Sequence, residues 1–160
     1  MSPTENGGLP GQQSQALGRS RGGFTTKIHL KSDLDGRPLA FHLTGGEASD
    51  SRQFPLLLGI GPDIKPRAAL TDKGYDAKSN RQAARARGIV PVIPVRKITA
   101  HSPKYFPKVL YKGRARIEQT MGKLKRLKRT ALRCEKTAEN FASLVSFACG
   151  LILVKSVHRI

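Results

Sequence analysis

Two neighbouring segments of the chain alternate between apolar and polar residues. Alternate positions from residue 24 to residue 30 hold Phe, Thr, Ile and Leu, and alternate positions from 39 to 43 hold Leu, Phe and Leu. A period of two predicts β-strands with one apolar face each. Between them, Asp35-Gly36 supplies the left-handed backbone conformation that a two-residue hairpin turn needs. The pattern therefore predicts an antiparallel hairpin.

Such a turn determines which residues of the two strands face each other. It places Leu30 opposite Phe41, so that the apolar faces of the strands coincide. It also places His29 opposite His42 on the other face. Two histidines are too few to form a metal site by themselves, and a cross-strand polar pair is the preferred interpretation.

The remaining pattern predicts alternating helices and short strands, and thus an α/β domain. A brief apolar run at residues 68–71 is typical of a buried strand, which would carry Asp72 at its C-terminal end. Residues 1–21 are rich in Gly, Gln, Ser and Pro and predict a flexible arm, and the domain itself spans residues 22–160. We further predict a helix at 77–87, an edge strand with two prolines at 89–95, and helices at 110–132 and 137–157.

The charge of the chain indicates a polyanionic partner. There are 29 Lys and Arg residues against 11 Asp and Glu residues, which gives a formal net charge of +18. So many positive charges repel one another unless a polyanion neutralises them. Nucleic acid is preferred over an acidic lipid surface as the partner, because no amphipathic lipid-binding segment stands out.

Several features favour a cytoplasmic protein without a membrane partner. No apolar signal segment follows Met1. The apolar run at residues 141–154 is short for a bilayer, and we predict that it is a buried core helix. Cys134 and Cys149 lack metal-ligand spacing and are expected to be small buried or half-buried thiols in a reducing compartment.

One acidic residue interrupts the first of the two predicted C-terminal helices, which is otherwise cationic. At about 100° per residue, four polar residues share roughly 60° of arc on one side of that helix. They are Tyr111, Arg114, Glu118 and Lys125. Glu118 is either an exposed partner of Arg114, an interaction of about 0.2–0.5 kcal/mol, or a metal-binding carboxylate. In the second case Asp72, at the end of a separate strand, would complete a pair of acids suited to Mg²⁺. Spacing alone leaves both alternatives open.

The same four residues resemble the Y-R-E-K signature of the DDE transposases of bacterial insertion sequences, the insertion-sequence 4/5 superfamily. Upstream, Asp72-Lys73-Gly74-Tyr75 resembles the D-x-G-Y motif of that family. Residues 18–29 are similar to its stretch downstream of the first catalytic Asp. Residues 44–50 are similar to its T-P-G-x-x-x-D turn, with Gly in place of Pro. The resemblance covers nearly all of the chain from residue 18 to residue 154.

The resemblance implies a ribonuclease-H-like mixed sheet with flanking helices, and an enzyme that cuts and joins transposon ends. It implies that Asp72 and Glu118 are catalytic acids and ligands of Mg²⁺ or Mn²⁺, with two ions in the complete enzyme. It also implies that Tyr111, Arg114 and Lys125 contact DNA near the scissile phosphate. A tyrosine nucleophile is the less favoured alternative, because no catalytic base or Arg-His-Arg cluster accompanies the tyrosines.

The family uses three acids, and the first is expected on a central strand that precedes the hairpin. Upstream of Phe24 the only acidic residue is Glu5. The resemblance therefore implies an incomplete sheet without its first central strand, and an isolated chain that is inactive. The expected partner is an N-terminal transposase half from a split gene, or another copy in a homo-oligomer. A truncated gene copy is the competing explanation.

Two non-enzymatic functions are alternatives. The first is a catalytically inactive basic DNA-binding fragment that inhibits transposition through the same Lys and Arg surface. The second is a ribosomal-type RNA-binding protein. Charge and length permit the second, but it gives no reason for the motifs around Asp72 and Glu118.

Overall fold

The computed structural model describes residues 15–96 and 106–158. Strands and helices are mixed along the chain, as predicted for an α/β domain. The strands are β1 (Gly18–Ser20), β2 (Gly23–Ser32), β3 (Pro38–Gly45), β4 (Ala68–Leu70) and β5 (Val90–Val92). The helices are α1 (Asp50–Gly59), α2 (Lys78–Ala86), α3 (Lys108–Tyr111), α4 (Ala115–Arg126), α5 (Lys128–Leu132) and α6 (Ala138–Val157), with 3₁₀ turns at Lys73–Tyr75 and Lys112–Arg114.

The predicted hairpin forms from β2 and β3 in the predicted register. Leu30 pairs with Phe41 and His29 pairs with His42 across antiparallel strands. The two histidine rings are stacked with their centroids 6.2 Å apart. Both pairings confirm the prediction made from the alternation of apolar residues.

The hairpin turn itself is longer than predicted. Gly36 has the expected positive φ of 81°, but the loop is closed by the Asp33 N–H, which donates to the Arg37 carbonyl at 3.0 Å. A β-bulge opposite Lys31 and Ser32 adds one further residue, Leu39, to β3. The longer turn and the bulge cancel, and the register of the remaining pairs is therefore the one that a two-residue turn would produce.

The apolar face of the hairpin packs on the C-terminal helices and forms the main core. Ile28, Leu30, Phe41 and Leu43 lie against a buried cluster from α4 and α6, which consists of Leu124, Phe141, Val145, Ala148 and Cys149. Phe24 was predicted to share this face but is 60% exposed. It lies beyond the end of the β2–β3 pairing, which begins at Thr26.

Part of the predicted flexible arm is a strand. Gly18–Ser20 pairs antiparallel with the start of β2, with Arg19 opposite Phe24. Ala16 is buried, and its carbonyl accepts a hydrogen bond from the Arg133 guanidinium at 2.8 Å. The prediction of an arm over residues 1–21 is therefore wrong for residues 18–20, because backbone pairing orders a segment that has no hydrophobic period. Residues 1–14 lie outside the described residues.

Arg133 ties this N-terminal segment to the C-terminal half of the chain. It adopts the left-handed conformation with φ of 44° at the end of α5. Its guanidinium also bonds the Thr26 hydroxyl and lies 5.4 Å from the centre of the Phe141 ring. One side chain therefore joins the β1–β2 segment to the beginning of α6.

The second packing unit contains the other two strands. β4 and β5 pair in parallel, and a separate buried cluster of Phe54, Ala84, Ile89 and Ile93 packs them with α1 and α2. The described strands thus form a three-stranded sheet and a two-stranded sheet, not one mixed sheet. The mixed α/β class is as predicted, and the ribonuclease-H-like arrangement stays a prediction.

The long helix predicted at residues 110–132 is interrupted twice. A 3₁₀ turn at Lys112–Arg114 separates α3 from α4. Leu127 has an extended backbone, with φ of −76° and ψ of 104°, and separates α4 from α5. The second break leaves Leu127 exposed and turns Thr130 inward, where it is buried.

The last helix, α6, begins at the predicted cap, where the Thr137 hydroxyl accepts from the Asn140 N–H at 3.2 Å. The predicted buried core helix is buried on one face only, because Phe147 and Val154 on the other side are 63% and 57% exposed. By length and composition, α6 is also long and apolar enough to cross a membrane, and 22% of its most apolar 18-residue stretch is buried. Core helices of soluble proteins can be equally long and apolar, and the buried face of α6 supplies most of the main core.

Candidate active site

Asp72 follows β4 at the position that the sequence predicts. The strand ends at Leu70, and Asp72 caps the 3₁₀ turn Lys73–Tyr75. Its Oδ1 accepts the Gly74 N–H at 2.7 Å, and a Cβ on Gly74 would approach that oxygen to 2.8 Å. Glycine therefore permits the tight turn that holds the exposed Asp72 carboxylate at the end of the strand.

Tyr75 completes this turn, and its side chain is half-buried. Its ring packs against Phe54 with a centroid distance of 6.0 Å. Burial first, and then the negative charges of Asp50 and Asp72, raise the pKa of Tyr75 to about 12. The phenol is therefore protonated at neutral pH, and the preference against a tyrosine nucleophile stays a prediction.

Glu118 lies in the first turn of α4 and is joined to two of the other predicted site residues. Its Oε1 is 2.7 Å from Arg114 Nη2, and its side chain is 59% exposed. The Arg114 guanidinium lies 5.7 Å from the centre of the Tyr111 ring, which packs edge-on against Phe106 at 5.0 Å. Tyr111, Arg114 and Glu118 thus form one chain of contacts. An exposed i,i+4 ion pair contributes only about 0.3–0.5 kcal/mol. The Glu118 carboxylate can therefore leave Arg114 and bind another partner.

Lys125 is the fourth residue of the predicted set, and it stands apart from the other three. It is exposed in the last turn of α4. It lies seven positions after Glu118, which corresponds to about 10 Å along the helix, on the same side. The structure therefore brings three members of the set into contact and places Lys125 further along the same ridge.

The elements that carry Asp72 and Glu118 are neighbours. A Cβ built on Gly113, next to Arg114, would lie 3.7 Å from a methyl carbon of Leu70, the last residue of β4. The same Cβ would lie 3.1 Å from Leu34 of the hairpin loop. The start of the Glu118 helix is thus packed beside the strand that ends at the Asp72 turn.

The donor set of this region fits a hard divalent cation by its chemistry. Mg²⁺ prefers oxygen ligands and commonly binds one or two carboxylates together with water and phosphate oxygens. Within residues 15–96 and 106–158, no group of three or more His, Cys, Asp or Glu side chains could hold a metal ion. Asp72 and Glu118 would therefore need further ligands for a two-ion site, and their role as metal ligands stays a prediction.

A second polar cluster lies at the start of α1, and the sequence patterns identified only part of it. Asp50 lies 3.2 Å from Lys27 Nζ and 3.8 Å from His29 Nδ1. The buried His29 also bonds the Thr44 hydroxyl through Nε2 at 2.7 Å. Burial lowers the pKa of His29, Asp50 opposes this shift, and His42 and Lys27 add to it. The cross-strand histidine pair is thus part of a larger cluster. The sequence signals for it were the predicted His29–His42 pair and the turn that ends at Asp50.

The chain belongs to the transposase DDE domain family, whose model matches residues 6–153. This membership agrees with the resemblance of the motifs at Asp72 and Glu118. No solved structure gives a significant match.

Two curated relatives are similar over most of their length. The first, from Burkholderia cepacia, is classed as a transposase for insertion sequence element IS402. It is 32% identical over 161 residues, which cover 95% of this chain and 72% of the relative. The second, from Brucella ovis, is classed as a transposase for insertion sequence element IS6501. It is 36% identical over 140 residues, which cover 82% of this chain and 100% of the relative.

Proposed function

We propose that this chain acts in DNA transposition, by cutting and joining transposon ends through divalent-metal-dependent phosphoryl transfer. The observation that carries the proposal is that the Asp72 motif and the Glu118 motif occur together in one member of the family. The Asp72 turn ends β4, and the neighbouring helix presents Glu118 in contact with Arg114. The formal charge of +18 supports DNA as the partner, and a DNA-acting bacterial protein is expected in the cytoplasm.

Each residue of the site has a role that follows from its surroundings. Asp72 and Glu118 would hold Mg²⁺ or Mn²⁺ through their carboxylates. When bound, the metal supplies positive charge that stabilises the oxygens of the reacting phosphate. Arg114 can bind a phosphate beside the acids, because its guanidinium is already positioned by Glu118 and the Tyr111 ring. Lys125 adds positive charge along the same side of α4 and would contact the DNA backbone further away.

The proposed site needs a further carboxylate besides Asp72 and Glu118. Asp72 and Glu118 alone provide fewer ligands than two metal ions require. The described strands lie in two separate sheets, which leaves strand edges that another segment can pair with. We propose an N-terminal transposase half, or another copy in a homo-oligomer, as the source of that carboxylate.

The test is a cleavage assay on supercoiled DNA that carries the terminal repeats flanking the gene. The chain alone is expected to be inactive with Mg²⁺ or Mn²⁺. The chain together with the polypeptide encoded directly upstream is expected to nick the transposon ends. Glu118→Gln should abolish this nicking, whereas Glu139→Gln, an exposed glutamate at the start of α6, should not change it. Cleavage by the chain alone that Glu118→Gln leaves intact would refute the proposal.

A catalytically inactive DNA-binding fragment that inhibits transposition is the second candidate, and the high positive charge favours it. Such a fragment would bind DNA with little sequence preference and lose affinity steeply as salt rises. It would also bind equally well after Glu118→Gln and never support cleavage with any partner. An affinity that is constant from low to high salt would exclude this candidate.

A further inference from the structure

Three charged residues that the catalytic scheme does not use surround the Asp72 turn. Asp76 ends the turn, Arg81 lies on α2, and Arg96 follows β5. They come from three separate segments of the chain. We refer to Asp76, Arg81 and Arg96 together as the Asp76 clasp.

Asp76 is the centre of the clasp and uses both carboxylate oxygens. Oδ1 accepts from Arg81 Nη2 at 2.8 Å, and Oδ2 accepts the backbone N–H of Arg96 at 2.8 Å. Burial alone would raise the pKa of the Asp76 carboxyl, but the hydrogen bonds and charges of Arg81 and Arg96 outweigh it and hold the pKa below its usual value. Asp76 is therefore ionised and fully engaged at neutral pH.

The two arginines of the clasp also donate hydrogen bonds to backbone carbonyls. Arg96 donates from Nε to the Lys73 carbonyl at 3.0 Å and from Nη2 to the Gly74 carbonyl at 2.7 Å. Arg81 donates to the Ile93 carbonyl at 2.8 Å, just after β5. A planar guanidinium with several donors suits such bidentate binding, whereas a lysine ammonium acts as a point charge. The turn is thus held from one side by the segment after β5.

The Asp72 carboxylate holds the same turn from the other side, through the Gly74 N–H. Both backbone polar groups of Gly74 are therefore held, its N–H by Asp72 and its carbonyl by Arg96. Loss of the Arg96 contacts would free the turn to rotate, and the Asp72 carboxylate would move with it.

We propose that Asp76 and Arg96 are positioning residues that set the orientation of the Asp72 carboxylate for metal binding. The part concerning metal rests on the proposed function, whereas the effect on the turn does not. The clasp acts through Asp72 and does not touch the metal or the DNA.

Amide exchange measured by NMR on the full chain tests the effect on the turn. In Arg96→Gln and in Asp76→Asn, the Gly74 amide should exchange about tenfold faster than in the wild type, because the hydrogen bonds that hold the turn are lost. Amides in the core of α6, such as that of Val145, should keep their rates. Arg85→Gln, at an exposed arginine of the same helix as Arg81, should leave the Gly74 amide unchanged.

Titration with Mn²⁺ alone tests the effect on metal binding. In the wild type, Mn²⁺ should broaden the amide signals next to Asp72, and both clasp variants should need about tenfold more Mn²⁺ for the same broadening. Unchanged Gly74 exchange in both variants would overturn the proposal. Faster exchange with unchanged Mn²⁺ affinity would reduce the clasp to a structural role and also overturn it. If Mn²⁺ has no effect near Asp72 in the wild type, the proposed function fails, and the exchange rates still decide whether the clasp holds the turn.

Discussion

Thr120 joins the helix that carries Glu118 to the hairpin loop, and its removal has a predictable cost. The residue is 1% exposed. Its hydroxyl lies 2.6 Å from the Gly36 carbonyl and 3.0 Å from the Arg116 carbonyl. A hydroxyl has one proton, so it donates to one carbonyl at a time, and the shorter contact is the one to Gly36.

Thr120→Val replaces this hydroxyl with a methyl group of similar size. The buried Gly36 carbonyl loses its donor, which costs about 1–3 kcal/mol. The added methyl group recovers at most about 0.8 kcal/mol of transfer free energy. We therefore expect the free energy of unfolding to fall by about 1–2 kcal/mol. With a urea dependence of about 2 kcal/mol per molar, the midpoint of urea unfolding should fall by about 0.5–1 M.

Thr130 provides a matched control on the next helix. It is also buried, at 3% exposure, but its hydroxyl has no hydrogen-bond partner among the described residues. Thr130→Val makes the same chemical change without the loss of a bond, and we expect it to be neutral or slightly stabilising. Urea unfolding followed by circular dichroism measures both variants. Equal destabilisation by the two substitutions, or no shift for Thr120→Val, would refute the reasoning.

Two further predictions concern buried titratable groups. Cys134 is exposed, so the expectation of a buried or half-buried thiol is wrong there, and it should react with a thiol reagent in the native chain. Cys149 is buried, with a pKa that burial raises, and should react only after denaturation. Two rapid equivalents in the native chain would contradict this. Burial lowers the pKa of His29 from 6.5, so below that pH the unfolded chain binds a proton that the folded chain does not. Stability should therefore fall as pH drops below 6.5 and level off below the lowered pKa. His29→Gln should flatten this dependence in urea unfolding measured between about pH 7 and about pH 5, and an unaltered pH profile would count against it.

The hairpin could be predicted because its information is local. Alternation fixes the faces of β2 and β3, and only one register buries Leu30 beside Phe41. The actual turn was not predictable, because the bulge opposite Ser32 compensates for the longer loop and leaves the alternation of the paired residues intact. A pattern-based reading therefore reaches the correct register through an incorrect turn.

The helix break at Leu127 could not be predicted from the sequence, for a different reason. The apolar period continues across this position, and neither Pro nor Gly marks the end of α4. Tertiary packing turns Thr130 inward and thereby determines where the helix breaks. No local sequence signal indicates this position. Pattern and periodicity thus predicted that helices exist here but not where the first one ends.

Some contacts of the candidate site could likewise be predicted from the sequence, and others could not. The contact of Arg114 with Glu118 follows from helical spacing, and the position of Asp72 after β4 follows from the apolar run before it. The packing of Gly113 beside Leu70 is different, because it depends on how distant segments meet. The Asp76 clasp was missed for the same reason, since the parallel pairing of β4 and β5 is what brings its members together.

The bond from Arg133 to the Ala16 carbonyl spans 117 positions of the chain. On a ribosome that adds about 5–20 residues per second, Ala16 is made roughly ten seconds before the side chain that secures it. The hairpin can form during that interval, but the segment around Ala16 has to wait for Arg133 to emerge. A chain whose synthesis stops before residue 133 would therefore carry an unsecured N-terminal strand, which is open to proteases or to pairing with other chains.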